Sequence, residues 1–393
     1  MLLVREVAGP KTTKVGDAVT YKVTAFNKED VSPAEASVVH WLVKSAEGAA
    51  LLSERDVGPV LQLTVPATWS GRDAIVMPYM RSPSQNVSVT TAVKAAAPSP
   101  GGEKSVDCVR EGSRYYASVD GQPRFYVGTD VSYGSRRGLM NSANPPGPRY
   151  GAGDFEATYG HWAWYLLPTI TAESRRYFTC LNTYDRARFT FGHIQLAAHT
   201  PNENFVLLLR EMLALPLASA YFPDLTMKDG RVHRRTAGGL QALESGSSTA
   251  GLQSYFNPNE DRVDDSEAER AARVVDWCAT DEALRDLTVD FAVRQQRRKL
   301  AYYATKIPLD GIVDKLCLVV LDILHQGRAK FSSIKGGLAN DDPFESLLGL
   351  GASTYKERIA TLRAEIRALE ELGNVGTKVY DKGANDFVVP DGA

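Results

Sequence analysis

Residues Pro168–Arg210 read PTITAESRRYFTCLNTYDRARFTFGHIQLAAHTPNENFVLLLR, a stretch that passes from a helical pattern to a strand pattern and back again. Upstream, Asp154 is a suitable N-cap. Phe155–Leu167 then carries a dense aromatic run that includes Tyr159, His161, Trp162, Trp164 and Tyr165. Pro168 is predicted to kink or restart that helix. Between Arg176 and Gln195, YFTCLN and ARFTFGHIQ flank TYDR, which predicts a short β-hairpin set between helices. The next helix begins near Thr200-Pro201, where a proline fits the first turn. Glu173 therefore stands at the end of an aromatic-rich helix, directly before the hairpin. A carboxyl held against apolar rings loses hydration, so Glu173 is expected to keep a proton and serve as a general acid. Pairing with Arg175 or Arg176 is the structural alternative. The hairpin adds Asn182, Tyr184, Asp185, Thr190, His193 and Gln195, the rings, amides and carboxylates that a sugar chain needs around it.

Outward from this stretch the chain divides by pattern. On the C-terminal side, helical spacing occurs in Asn204–Leu215, Glu267–Cys278, Glu282–Thr305, Gly311–His325 and Tyr355–Leu372. On the N-terminal side, Val19, Tyr21, Val23 and Ala25 alternate with polar residues. Val39, Trp41 and Val43, then Leu61, Leu63 and Val65, then Val87 and Val89 repeat the rhythm. Short strands at this spacing, with a tryptophan in an inner strand, predict an all-β sandwich of immunoglobulin-like type over residues 1–94. Residues 95–104, within KAAAPSPGGEK, form a predicted linker. Residues 105–393 form the second domain, mainly α with a short β-hairpin. Within it Tyr115–Val127 predicts a hairpin around Asp120-Gly121, and Gly128–Gly153 predicts a long functional loop.

Composition narrows the function. Hydrophobic residues make up 44% and charged residues 23%, as in soluble globular proteins. The 45 Lys and Arg against 47 Asp and Glu leave a formal charge of -2, which argues against a dedicated nucleic-acid binder. Four scattered cysteines without a C-x-x-C pair suit neither a disulfide scaffold nor a structural zinc site. No P-loop, G-x-G-x-x-G, H-E-x-x-H or G-x-S-x-G is present. The apolar run Leu316–Leu324 is too short for a membrane span and is interrupted by Asp322. The N-terminus lacks a signal-peptide pattern, so the expectation is synthesis in the cytoplasm. The cluster Arg231, His233, Arg234 and Arg235 reads as a solvated loop, and Trp162 and Trp164 read as core rather than sugar platform.

A helix-ending Glu, then a β-hairpin, then G-x-x-Q and a new helix resembles the lysozyme-like glycoside hydrolases, nearest their chitosanase and phage muramidase branches. The residues that carry the resemblance are Glu173-Ser174-Arg175-Arg176, the hairpin through Asp185, and Phe191-Gly192-His193-Ile194-Gln195. The later LDILHQGRA resembles a packing helix of such domains. A sandwich joined by a Pro/Gly linker to such a domain is similar to lytic effectors of the bacterial type VI secretion system. The resemblance implies a peptidoglycan hydrolase cleaving the glycan backbone, with Glu173 and Asp185 catalytic and Tyr184, Thr190, His193 and Gln195 binding substrate. It implies no metal and no cofactor. The implied partners are peptidoglycan glycan strands, a secretion-apparatus spike protein and a cognate immunity protein, and the implied place of work is the periplasm of a target bacterium. The separation of the two carboxyls distinguishes outcomes: about 5 Å in retaining enzymes, roughly 6.5–9.5 Å in inverting ones. For Asp185, ordinary turn chemistry remains the alternative. Two other readings compete: a non-enzymatic adaptor of a secretion or phage-tail apparatus, and a metal-dependent amidase or peptidase using His193, His199 and Asp185.

Overall fold

The computed structural model describes residues 2–46, 50–54, 57–66, 69, 72–84, 86–94 and 102–390. Residues 95–101, most of the predicted linker, lie outside them. The N-terminal region holds several β-sheets and the C-terminal region is helical. By contacts the chain divides into two compact units that are not contiguous in sequence. One comprises residues 1–104, 207–242 and 282–287; the other comprises 105–206, 243–281 and 288–393. No helix of the described residues is long and apolar enough to cross a membrane.

The first unit begins with β1 (Val4–Ala8), β2 (Thr12–Lys14), β3 (Ala18–Phe26), α1 (Pro33–Ala36), β4 (His40–Ser45), β5 (Ala50–Glu54), β6 (Val60–Thr64), β7 (Asp73–Tyr79) and β8 (Val89–Lys94). These make a three-stranded sheet, β1-β3-β6, and a five-stranded sheet, β2-β8-β7-β4-β5. The alternating residues point inward as the period of two requires: Tyr21, Val23, Trp41, Val43, Leu61 and Val89 are all buried in one core. Tyr21 on β3 donates its hydroxyl to Thr91 Oγ1 on β8 at 3.0 Å, joining the two sheets. Trp41 donates its indole N–H to the Gly58 carbonyl at 2.8 Å. Burying an indole is stabilising only if that donor is met.

The second unit opens with β9 (Val106–Glu111), β10 (Arg114–Val119), β11 (Phe125–Tyr133) and β12 (Arg136–Met140), continues through α2 (Ala152–Tyr159) and α3 (His161–Ser174), and reaches β13 (Leu181–Asn182), β14 (Thr190–Phe191) and β15 (Leu196–Ala197). All seven strands form one antiparallel sheet in the order β15-β14-β13-β12-β11-β10-β9. The predicted hairpin at Asp120-Gly121 is the β10–β11 turn, with positive φ at both residues. Two expectations change. The stretch Gly128–Gly153 is not one long loop, because β11 runs to Tyr133 and β12 follows. The helix break falls at Gly160, at φ 54° and ψ -130°, and α3 runs through Pro168 without ending. Only glycine reaches that backbone region cheaply, so Gly160 sets the boundary.

The chain then forms α4 (Asn204–Met212), α5 (Ala218–Tyr221) and a three-stranded sheet of β16 (Leu225–Lys228), β17 (Arg231–Thr236) and β18 (Gly239–Ala242). Arg231, His233, Arg234 and Arg235 thus lie on a strand rather than a loop. Segment 207–242 is tied to the first unit by an ion pair between Arg72 and Glu211 and a bond from Lys104 N to Ala220 O at 2.9 Å. The remaining helices are α6 (Ala250–Phe256), α7 (Asp265–Thr280), α8 (Glu282–Tyr303), α9 (Asp314–Gln326), α10 (Phe331–Leu338), α11 (Pro343–Gly349) and α12 (Lys356–Glu371), followed by the hairpin β19 (Val379–Asp381) and β20 (Asp386–Val388). In the second unit α7 packs on β9–β11, while α9 and α12 pack on α3. Trp162 is core, as read from the sequence, and donates to Asp386 at 2.7 Å.

Candidate functional site

Helix α3 places Tyr165, Thr169 and Glu173 four residues apart on one face. Helix α9 brings Leu318, Leu321, Asp322 and His325 onto one face at spacings of three and four. Where these faces meet, charges collect. Glu173 Oε1 is bound by His325 Nε2 at 3.1 Å and by Arg358 Nη1 of α12 at 2.9 Å. Arg358 also reaches Asp322 Oδ1 at 2.6 Å. Asp322 takes Arg328 at 3.0 Å and accepts from Thr169 Oγ1 at 3.3 Å. The side chains of Asp322 and Arg328 are 0% exposed and that of Glu173 is 12% exposed. Two carboxylates thus meet two guanidiniums, and the formal charge closes to zero before His325 is counted. Such an arrangement is stable only with its lone pairs and protons satisfied.

The electrostatics reverse the expected protonation of Glu173. Burial alone would raise its pKa, but the hydrogen bond and charge of His325, with the charge and hydrogen bond of Arg358, outweigh it and hold the carboxyl below its ordinary value. Burial likewise works against the charge of Arg358, yet Glu173 and Asp322 keep that guanidinium firmly protonated. Glu173 therefore rests as a carboxylate. Its partners are not Arg175 or Arg176. Arg175 caps α3 at φ 53° and donates to the Ala143 carbonyl, while Arg176 pairs with Glu365.

Beside the network lies a cavity of about 10 Å³, lined by Tyr165, Thr169, Gln296, Asp322, His325 and leucines. That is room for about one water molecule. The Tyr165 hydroxyl and Gln296 Oε1 are buried without a hydrogen-bond partner, so the cavity offers the polar groups a water needs. Nearby on α8, burial lowers Lys299 to about 8, with Glu203 pulling the other way.

The hairpin residues are brought close to Glu173 at one end: the Glu173 charge adds to the burial that pushes the Cys180 thiol to about 12. Individually they differ from expectation. Asp185 Oδ1 accepts from Ala187 N at 2.8 Å, which is turn chemistry. Gln195, at φ 51°, donates to the Cys180 and Gly192 carbonyls at 3.1 and 2.8 Å and accepts from Asn182. Its amide is spent on holding the hairpin. Thr190 is buried in β14. His193 is buried, stacked on Tyr150 at 5.8 Å and edge-on to Phe178, and burial pushes its pKa to about 3. It is a neutral core histidine. His199 lies 3.5 Å from Arg186. Among the described residues no group of three or more His, Cys, Asp or Glu is placed to hold a metal ion. Tyr184 is half-buried, with its ring 6.4 Å from that of the exposed Tyr133.

Sequence reasoning missed His325 and Arg358 as partners of Glu173, and Asp322 as the second carboxylate on Arg358. One signal was available: a charged residue inside the apolar run LCLVVLDIL must find a partner when buried. A second buried carboxyl was also missed. Glu267 on α7 is raised to about 7 by burial, against the hydrogen bonds it receives from Thr183 and the Leu139 N–H. Compared with protein-family models, with curated proteins and with solved structures, the chain matches none.

Proposed function

We propose that this chain is a peptidoglycan hydrolase that cleaves the glycan backbone, with Glu173 acting as an ionised carboxylate. The observation that carries the reading is the position of Glu173: it ends α3, is held charged by His325 and Arg358, and lies within electrostatic reach of the hairpin that follows. Glycosidic cleavage passes through an oxocarbenium-like transition state and uses a pair of carboxyl groups. A resting carboxylate suits the water-activating or charge-stabilising role of that pair, rather than the acid role implied by the resemblance. The second carboxyl group of the pair is proposed to be Asp185 in the hairpin loop. In this reading the second unit is lysozyme-like and the N-terminal sheets form an immunoglobulin-like sandwich for delivery or docking. The partners are glycan strands, a secretion-apparatus spike protein and an immunity protein, and the setting is the periplasm of a target bacterium.

A second reading has its own support. Asp322 and Arg328 are fully buried, and an ionic network of this kind fixes the register of packed helices with no chemistry attached. On that reading the chain is a structural or adaptor protein of a secretion or tail apparatus. Incubation with purified peptidoglycan, followed by muropeptide analysis with and without chelator, separates the possibilities. The hydrolase reading predicts cut glycan in both conditions. Intact glycan throughout supports the adaptor, and cleavage of peptide bonds lost with chelator supports a metallo-amidase.

A further inference from the structure

Tyr133 is 68% exposed at the end of β11. It faces Arg136 across the tight β11–β12 turn, where Gly134 takes φ 62°. Its ring lies 6.4 Å from that of Tyr184, inclined by 57°. Tyr184 belongs to the 183–189 loop, and that loop is pinned at its base. A Cβ on Gly138 would come within 2.5 Å of Thr183 Oγ1 and 2.7 Å of Tyr184 N, so glycine alone lets the loop press onto β12. Thr183 N donates to the Leu139 carbonyl at 2.8 Å, and its hydroxyl meets the buried Glu267. Asn257 Nδ2 donates to the Thr183 carbonyl at 2.9 Å. Arg188, later in the same loop, donates to the Asn257 carbonyl at 3.0 Å and pairs with Glu260 at 3.0 Å. Glu260 is also held by Arg136 at 2.7 Å.

The fold thus commits a buried glutamate, an asparagine and a glycine to fixing a loop that sets the half-buried Tyr184 ring beside the exposed Tyr133 ring. Exposure on this scale adds little to the stability of the fold. Rings held in place, each with an apolar face and a polar tip, give contact area at low entropic cost. Pyranose rings present a C–H face to stack on such rings and hydroxyls around the rim. Here Arg136 stands opposite Tyr133 across the β11–β12 turn and Asp185 follows Tyr184 in the chain, a donor and an acceptor for those hydroxyls.

We propose that Tyr133 and Tyr184 form a stacking platform for a sugar ring of an N-acetylated glycan strand. The proposal rests on the hydrolase reading for its choice of substrate, but its test is one of binding. Full-length protein is co-sedimented with purified, insoluble peptidoglycan in the cold, with soluble N-acetylglucosamine oligomers as competitor. Tyr133→Ala is expected to weaken binding about tenfold, Tyr133→Trp to retain it, and the oligomers to compete. Thermal unfolding of each variant controls for folding, which an exposed ring should leave unchanged. Wild-type binding shared by Tyr133→Ala overturns the platform, as does the absence of any wild-type binding. Reducing-end release is followed separately: binding that needs Tyr133 without cleavage keeps the platform and removes the hydrolase. Cleavage with Tyr133-independent binding does the reverse.

Discussion

Two buried glutamates in this chain are driven in opposite directions by their surroundings. Glu173 meets His325 and the Arg358 guanidinium and stays charged; Glu267 meets the Thr183 hydroxyl and backbone hydrogen bonds, and burial pushes it to about 7. The contrast has a pH signature. A glutamate free in the unfolded chain titrates near 4.3. Glu267 holds its proton to about 7 when folded, so between those values the native state binds more protons. Its contribution to stability is full below the unfolded value and is lost as pH rises through the folded one, a change of about 4 kcal/mol. Glu267→Gln keeps the acceptor for Thr183 and Leu139 without the titration. Urea unfolding from pH 4.5 to 8 is expected to show that slope in wild type and to flatten in the variant. Glu173 itself was legible, since a helix-end acid before a hairpin is a local pattern. Its protonation was not, because His325 and Arg358 are supplied from helices far along the chain.

At the scale of elements, close backbone approach decides where the hairpin loop sits. Gly138 allows Thr183 and Tyr184 to lie against β12, and Gly138→Ala forces that loop outward or strains it. The expected cost is about 1–3 kcal/mol, read by urea denaturation, together with weaker retention on peptidoglycan because Tyr184 moves away from Tyr133. Strands with one buried face were readable from alternation, as for Val19, Tyr21 and Val23 in β3 and Val39, Trp41 and Val43 at β4. The long amphipathic helices were readable from their period. What failed to register has a common cause. The hairpin read between Arg176 and Gln195 is the β13–β14 pair, whereas β12 and β17 are rich in arginine and β15 is two residues long, so these join sheets through backbone bonds that leave no hydrophobic rhythm. Gly160 rather than Pro168 broke the aromatic helix, because a proline costs one hydrogen bond whereas positive φ reverses the chain.

For the whole molecule, the units defined by contact cross the order of the sequence. Residues 207–242 belong with 1–104, through Arg72–Glu211 and Lys104–Ala220. A chain begun at residue 102 keeps that segment but removes most of what it packs on. It is expected to be less soluble and to melt lower than the full chain, measured by thermal unfolding of the two side by side; equal melting would show the segment to be self-sufficient. On the proposed hydrolase reading, Glu173 is the charged group of a glycan-cutting site. The most direct measurement is the release of new reducing ends from purified peptidoglycan by wild type and by Glu173→Gln, both shown to be folded. The account predicts release by wild type and a fall of roughly 10²–10⁴-fold in the variant. No release by wild type, or undiminished release by Glu173→Gln, would contradict it.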